Sequence, residues 1–400
     1  MANFSKFFNE HLSTLSCRDF HEGVSCQRHI LSSCIYCPLS IMKLFSPIYL
    51  FAIIRKYRSL TKEDLKEILL NYKSCIMGCS VTGICCNCIL CVFRVLFRKH
   101  FLYTLIFIPV WFSAHFIFLC SKTVIEMAST TAYQYFVESL LRRNNVLSKT
   151  ISGSKSIQTA IFMLCSALIL HGKRAFDMKG FWLIKPSPAT ISEESEDFRR
   201  IGCNMHPKLT CGHYLWEGVR NNFLMGLAVD CLRALKRVSN QPLSTKTWTK
   251  AMNIRMYWGP LFSLYIGLYR LTHCLLNRVD VAPDKLNHAL AACCAGLSHF
   301  FYPEMTLFHF AVVQAIAMLW RMFQMCGAGT ENKISRALLS FPYTYVLYPL
   351  IQAHCVHIHI MRPQLCGTFH ITTDNSFTNN YSTTIMNKVQ ETIKRAKGLQ

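Results

Sequence analysis

The chain has 400 residues, of which 52% are hydrophobic and only 16% are charged, whereas about a quarter of the residues in ordinary soluble proteins are charged. Lys and Arg number 43 against 21 Asp and Glu, so the formal net charge is +22. These values exclude collagenous, disordered and small disulfide-rich proteins, argue against a water-soluble enzyme, and are typical of a membrane protein with basic loops.

The first residues form a head that is rich in cysteine and histidine. Its candidate metal ligands are Cys17, His21, Cys26, Cys34 and Cys37. Thiolate and imidazole groups at these separations suit a tetrahedral zinc site. Two other interpretations fit as well, namely reduced thiols near a membrane surface and a disulfide bond in an oxidising compartment. No cofactor other than zinc is indicated.

Seven runs of the chain are candidates for membrane-spanning helices, which need about 20 mostly apolar residues. They cover residues 74–93, 101–121, 156–172, 256–276, 286–303, 305–320 and 337–361. Three weaker runs, which contain charged residues, cover residues 39–54, 123–141 and 221–235. A soluble all-α protein is the less favoured alternative, because so many long apolar runs are hard to bury. We therefore predict an all-α, polytopic membrane protein with about 7–10 membrane helices.

Six cysteines lie inside the first of these spans. They are Cys75, Cys79, Cys85, Cys86, Cys88 and Cys91. A buried cysteine behaves as a small hydrophobic residue, and we therefore predict that these side chains serve helix packing.

The order of features in the first part of the chain recurs in the second part. A second group of candidate zinc ligands, Cys203, His206 and Cys211, precedes the later spans. The most acidic stretch of the chain lies before this group and has the composition of a linker. We predict two similar halves at residues 1–185 and 203–370, an acidic linker at 186–202 and a polar tail at 371–400.

Two segments carry a family resemblance. The first, residues 41–56, follows the cysteine-rich head and contains Pro47, Tyr49, Leu50 and Arg55. The second, residues 284–302, contains Asp284, Leu286, Ala295, Gly296 and Ser298. In order and separation these segments are similar to the N-terminal Cys-rich module and a later motif of the transmembrane protein 135 family. The chain resembles a divergent member, because it departs from the family pattern at Asn287, Ala292, Cys293 and Cys294.

This resemblance implies a multi-pass protein of peroxisomal and mitochondrial membranes that acts in lipid metabolism and transport and in organelle dynamics. It also implies a distant relationship to the channel subunits of inner-membrane protein translocases. Composition and residue spacing by themselves indicate neither property.

Ionisable residues inside predicted spans are candidates for functional roles. A charge at the bilayer centre costs about 2.5–3.5 kcal/mol on insertion scales, so such residues usually face a partner or a cavity. The predicted intramembrane polar residues are Glu126, Glu138, His288 and His299. The two glutamates point about 120° apart on a helix and do not form a carboxylate pair. Each histidine either forms a hydrogen bond inside the bundle or takes part in a proton path.

The sequence contains no nucleotide-binding loop, nucleophile elbow or zinc-protease helix, so we do not predict an enzyme. Basic residues flank the apolar spans instead of forming one stripe, which favours membrane lipids over nucleic acid as partners. Three functions fit, in falling order. They are a membrane protein that handles lipids or supports organelle dynamics, a non-transporting scaffold or translocase-like subunit that binds other membrane proteins, and a metal-dependent membrane enzyme.

Overall fold

The computed structural model describes residues 10–11, 13, 15–56, 60–178, 182–184, 210–239, 256–279, 284–327 and 333–396. These residues form α-helices, turns and short 3-10 helices, with no strand among them, so the prediction of an all-α protein is confirmed. The α-helices are α1 (Cys17–Phe20), α2 (Cys26–Lys56), α3 (Lys62–Phe97), α4 (Phe107–Ala114), α5 (Lys122–Leu141), α6 (Val146–Gly153), α7 (Lys155–Ala175), α8 (Cys211–Ser239), α9 (Trp258–Val279), α10 (Asp284–Ala295), α11 (Ser298–Phe301), α12 (Met305–Gly327), α13 (Lys333–Ser340), α14 (Tyr343–Met361), α15 (Thr368–Phe377) and α16 (Tyr381–Ala396).

The helices pack into two units. Unit 1 comprises residues 1–145 and 342–400, and unit 2 comprises residues 146–341. This division differs from the two predicted halves, because the C-terminal helices α14 to α16 pack against the first helices of the chain. A repeated order of features along the sequence does not require the two repeats to pack as separate units. The predicted duplication of the two halves therefore stays a prediction. The predicted acidic linker at 186–202 lies outside the described residues.

Helices α2 and α3 form an antiparallel hairpin in unit 1. At the start of α3 the Thr61 hydroxyl accepts a hydrogen bond from the Asp64 N–H, and the Asp64 carboxylate accepts one from the Thr61 N–H. Such a capping box satisfies donors that a helix start would otherwise leave free. Across the hairpin, the Asn87 amide donates to the Ser33 hydroxyl at 3.1 Å. The start of α2 therefore lies beside the end of α3.

Helices α14 to α16 complete unit 1. Helix α14 packs against α4 and α5, α15 against α2 and α3, and α16 against α14 and α1. Tyr381, Ile385 and Val389 of α16 lie four residues apart on one helical face and share a core with Leu90 and Ile360. Residues 371–400, predicted as a polar tail, thus contribute most of two packed helices.

Unit 2 contains α6 to α13. Helix α9 packs against α8 and α10, and α7 packs against α10 and α12. Two of these contacts require glycine, because a Cβ on Gly226 would overlap the backbone of Trp258, and a Cβ on Gly296 would overlap the backbone of Met163. The carboxylate of Asp230 in α8 accepts a hydrogen bond from the Trp258 N–H at 3.0 Å and so caps the start of α9.

Four helices of the described residues are long and apolar enough to cross a membrane, namely α2, α3, α7 and α12. They contain the predicted spans at 39–54, 74–93, 156–172 and 305–320. The run at 101–121 differs from the prediction, because it begins in turns, forms the eight-residue α4 and tightens into a 3-10 helix at His115. Membrane helices beyond these four stay a prediction.

Candidate metal centre

Three residues of the cysteine-rich head converge at the start of α2. Cys17 and His21 are four residues apart, about one helical turn, because His21 is the C-cap of α1. The next two residues, Glu22 and Gly23, have positive φ angles of 54° and 86°. This left-handed turn, which glycine adopts at little cost, reverses the chain and returns Cys26 towards His21.

The fourth member comes from the end of α3. Cys91 Sγ lies 3.2 Å from His21 Nε2, and the ligand atoms of Cys17, His21, Cys26 and Cys91 all lie within 4.8 Å of one another. A tetrahedral zinc ion with Zn–S bonds of about 2.3 Å separates its sulfur ligands by roughly 3.8 Å. The spacing of these four residues, which we name the Cys/His centre, therefore fits a four-coordinate ion.

The environment of Cys17 favours its thiolate form. Hydrogen bonding with Cys91 has the largest effect on the pKa of Cys17 and lowers it. Hydrogen bonds with His100 and His21 lower this pKa further, whereas partial burial of the thiol opposes the shift. Because zinc binds the thiolate and binding releases the thiol proton, the lowered pKa of Cys17 favours metal binding by this one residue.

Aromatic side chains surround His21. The ring of His29 stacks on His21 with centroids 4.2 Å apart, and the ring of Tyr381 stacks on His21 at 5.4 Å. Tyr381 also lies 4.3 Å from His29. Neighbours that fix the orientation of a ligand are typical of metal sites. Since Tyr381 belongs to α16, the centre joins the head to both α3 and the C-terminal part of unit 1.

The other predicted zinc ligands are not part of the centre. Cys34 is exposed and Cys37 is buried, both further along α2. Cys211 is half-buried at the start of α8 and accepts a hydrogen bond from Arg278 at 3.4 Å. Cys203 and His206 lie outside the described residues.

Cys91 was not predicted as a ligand. Sequence reasoning assigned it to helix packing together with Cys75 and Cys79, and those two are indeed buried in an apolar core. Cys91 differs because its Sγ contacts His21, which lies 70 positions earlier in the chain. Local spacing cannot reveal such a contact. The only sequence feature that could have indicated this contact is the position of Cys91 near the end of an apolar helix that returns beside the head.

The two predicted intramembrane glutamates have different surroundings. Glu126 is exposed on α5. Glu138 is half-buried, and its Oε1 lies 2.9 Å from the guanidinium of Arg142. The Glu138 carboxylate also lies against Gly367, the N-cap of α15, where the partial positive charge of a helix start stabilises an anion.

The two predicted intramembrane histidines are both buried in unit 2. His288 Nδ1 lies 2.6 Å from the Tyr269 hydroxyl, which is the hydrogen bond expected of a histidine inside a helix bundle. The ring of His299 stacks on Phe162 with centroids 5.0 Å apart. Participation of either histidine in a proton path stays a prediction.

The residues that carry the family resemblance lie on helices or in the turn between two of them. Pro47, Tyr49, Leu50 and Arg55 belong to α2, whereas Asp284, Leu286, Ala295, Gly296 and Ser298 belong to α10, the following turn and α11. Ala295 and Ser298 are fully buried, whereas Leu50 and Leu286 are exposed. This burial reflects helix packing and does not test the resemblance.

No protein-family model, curated protein or solved structure matches the chain.

Proposed function

We propose that this chain is a multi-pass protein of peroxisomal or mitochondrial membranes that supports lipid metabolism or transport and organelle dynamics. Four long apolar helices support the membrane part of this proposal. The organelle and lipid parts rest on the two segments that resemble the transmembrane protein 135 family. Lipids of the host membrane are the first partners that the proposal implies.

The distribution of apolar side chains on α2 carries the membrane part. Ile41 and Phe45 are buried in the core of unit 1. Leu31, Ile35 and Leu39 recur every four residues on another face of the helix and are 66%, 56% and 47% exposed. A surface helix in water normally turns polar residues outwards, and large exposed apolar patches mark contact with membranes or partners. A lipid environment suits a helix that is apolar on both faces.

The location can be tested with the tagged full-length chain in cells. We expect its fluorescence to coincide with peroxisomal or mitochondrial markers, and we expect the protein to stay in the membrane pellet after alkaline extraction. Removal of the protein should change the stored-lipid content of the cells, and re-expression should restore it. Residence only in another membrane, or unchanged lipid content, would contradict the proposal.

A scaffold or translocase-like subunit is the alternative function. Such a role would need small residues that are free to contact helices of other proteins. Two small residues, Gly83 and Gly296, are already engaged inside the units, because Gly83 fits against the carbonyl of Phe377 and Gly296 fits against Met163. We therefore expect no stoichiometric partner after gentle solubilisation. A partner that copurifies in constant ratio would favour the scaffold.

We further propose that the Cys/His centre binds zinc. Three cysteines and one histidine form a familiar structural ligand set, and four protein ligands leave no coordination position open for a substrate. In this proposal the ion fastens α1 and the start of α2 to the end of α3. A closed site of this kind argues against the metal-dependent enzyme alternative.

Elemental analysis tests the zinc proposal. Protein purified without chelators should contain a stoichiometric amount of zinc, and Cys91→Ser should lose most of it because one of four ligands is missing. Cys34→Ser is the matched control, since Cys34 lies on α2 outside the centre. Full zinc content in Cys91→Ser, or no zinc in the unmodified chain, would show that the centre is not a zinc site.

If the centre holds no zinc, alkylation under denaturing conditions distinguishes free thiols from a disulfide bond.

A further inference from the structure

One carboxylate and two imidazoles meet in the interior of unit 1, outside the Cys/His centre. His359 Nδ1 lies 2.9 Å from Asp374 Oδ2, and His370 Nε2 lies 3.1 Å from the same oxygen. The three side chains are at most 2% exposed. We name these residues the His/Asp cluster.

The cluster lies beside the middle of an apolar helix. Helix α15, which carries His370 and Asp374, packs against α2 and α3. A Cβ on Gly83 of α3 would overlap the carbonyl of Phe377, the last residue of α15. Gly83 is near the centre of the charge-free run at 74–93. Charges are costly at such a position and usually mark a function.

The partners of Asp374 can change their charge. Its ion pairs within the described residues are with the two imidazoles and not with Lys or Arg. Lys and Arg stay charged near neutral pH, whereas an imidazole gains and loses a proton there. A buried carboxylate without a cationic partner costs several kcal/mol. An ionised Asp374 therefore requires at least one protonated imidazole beside it.

Three atoms of the cluster are buried without a hydrogen-bond partner. They are Asp374 Oδ1, His359 Nε2 and His370 Nε2, and the last makes only the ion-pair contact of 3.1 Å with Asp374. When His359 donates its Nδ1–H to Asp374, its Nε2 carries a lone pair and no proton. An unsatisfied buried polar atom costs about 1–3 kcal/mol, and a carboxylate that served structure alone would normally have its acceptor positions filled. The cluster thus retains a basic nitrogen beside a carboxylate.

We propose that the His/Asp cluster is a proton-binding site. A proton on His370, whose Nε2 lies 3.1 Å from Asp374, balances the charge of the carboxylate, and Nε2 of His359 takes up and releases a second proton. Uptake converts the His359 imidazole to imidazolium, whose Nδ1–H continues to donate to Asp374, so no other bond changes. This proposal is independent of the proposed function.

Other titratable groups surround the cluster on the packed elements. They are Cys86 of α3, Tyr135 of α5, Tyr348 and Cys355 of α14, and Cys366 before α15. The Tyr135 ring stacks on His370 with centroids 4.4 Å apart, and its hydroxyl donates to Thr373 at 2.7 Å. Glu138 lies about one turn further along α5, with 13% of its side chain exposed. Polar groups therefore extend from the edge of unit 1 to the cluster.

Nuclear magnetic resonance of the full-length chain with isotope-labelled histidine, in lipid nanodiscs, tests the proposal. The signal of His359, identified by its loss in His359→Gln, should report the gain and loss of a proton as the pH is varied over the range in which the protein stays folded. In Asp374→Asn its midpoint should fall by about one to three pH units, because the neighbouring negative charge is removed. Asp177→Asn is the control, since Asp177 is exposed and its positive φ suits asparagine.

An unchanged His359 midpoint in Asp374→Asn overturns the proposal, and so does a His359 ring that never changes protonation while the protein stays folded. If Asp374→Asn does not fold, the number of protons bound by the unmodified chain is compared with the number bound by His359→Gln, using potentiometric titration. We expect His359→Gln to take up one proton fewer than the unmodified chain. Equal proton uptake by the two proteins overturns the proposal.

Discussion

The described part of each unit buries one aspartate, and the two have different partners. In unit 2, Oδ2 of Asp230 accepts hydrogen bonds from the backbone N–H groups of Tyr257, Trp258 and Gly259 at 2.9, 3.0 and 3.3 Å. In unit 1, Asp374 instead contacts two imidazoles. The exposed fractions of Asp230 and Asp374 are similar, at 5% and 2%.

The difference shows that burial by itself does not identify a functional carboxylate. Backbone N–H groups do not titrate, so Asp230 fixes the start of α9 as a helix cap does. Imidazoles exchange protons near neutral pH, so the charge around Asp374 can change while the helices stay in place. The chemistry of the partner, more than the cost of burial, separates the structural carboxylate from the candidate functional one.

The largest expected effect is the loss of stability in Asp374→Ala. The change removes the acceptor that the two imidazoles share, and breaking a buried ion pair by removing one partner typically costs 3–5 kcal/mol. We expect a decrease of about that size in the free energy of unfolding, measured by reversible denaturation in mixed micelles. Glu391→Ala on α16 removes only exposed ion pairs and should change stability by about 0.5 kcal/mol or less. A loss below about 1 kcal/mol in Asp374→Ala would mean that the cluster is not a buried ion pair.

Asp230→Ala should cost less, about 2 kcal/mol, because it removes a helix cap and leaves backbone donors without an acceptor. Asp230→Asn keeps an acceptor oxygen and should recover about half of the loss. Denaturation of the two variants under identical conditions measures the difference. Equal destabilisation by Asn and Ala would show that the negative charge of Asp230, and not its geometry as an acceptor, stabilises α9, and the contrast with Asp374 would weaken.

The sequence predicted the features that depend on composition and local spacing. Charge-free runs identified the apolar helices α3, α7 and α12, because a long apolar stretch has few other stable conformations in a membrane. The separations of Cys17, His21 and Cys26 indicated candidate ligands that lie close together, and one helical turn and one reversal are enough to bring them together. In these cases the residues that determine the structure are close in sequence.

Features that depend on distant contacts could not be predicted in this way. Cys91 reaches the Cys/His centre only because α3 returns beside the start of α2. Asp374 lies in a polar stretch that resembles a tail, and its burial results from the packing of α15 against α2 and α3. Polar composition near a chain end does not distinguish a solvated tail from helices that pack into the interior.

The smallest expected effect is that of Tyr135→Phe, and it tests whether proton binding can be separated from packing. The change removes the hydrogen bond to Thr373, which should cost about 1 kcal/mol of unfolding free energy, but it leaves the ring stacked on His370. Tyr345→Phe is the control, because Tyr345 is 52% exposed and should lose almost nothing.

Tyr135→Phe should also leave the protonation midpoint of His359 unchanged, because the distances from both imidazoles to Asp374 do not involve the Tyr135 hydroxyl. The same resonance titration that is applied to Asp374→Asn measures this midpoint. If Tyr135→Phe moved it as far as Asp374→Asn does, the shift would report loosened packing instead of a lost charge. Asp374 would then be a structural residue of the same kind as Asp230, because neither carboxylate would control a proton.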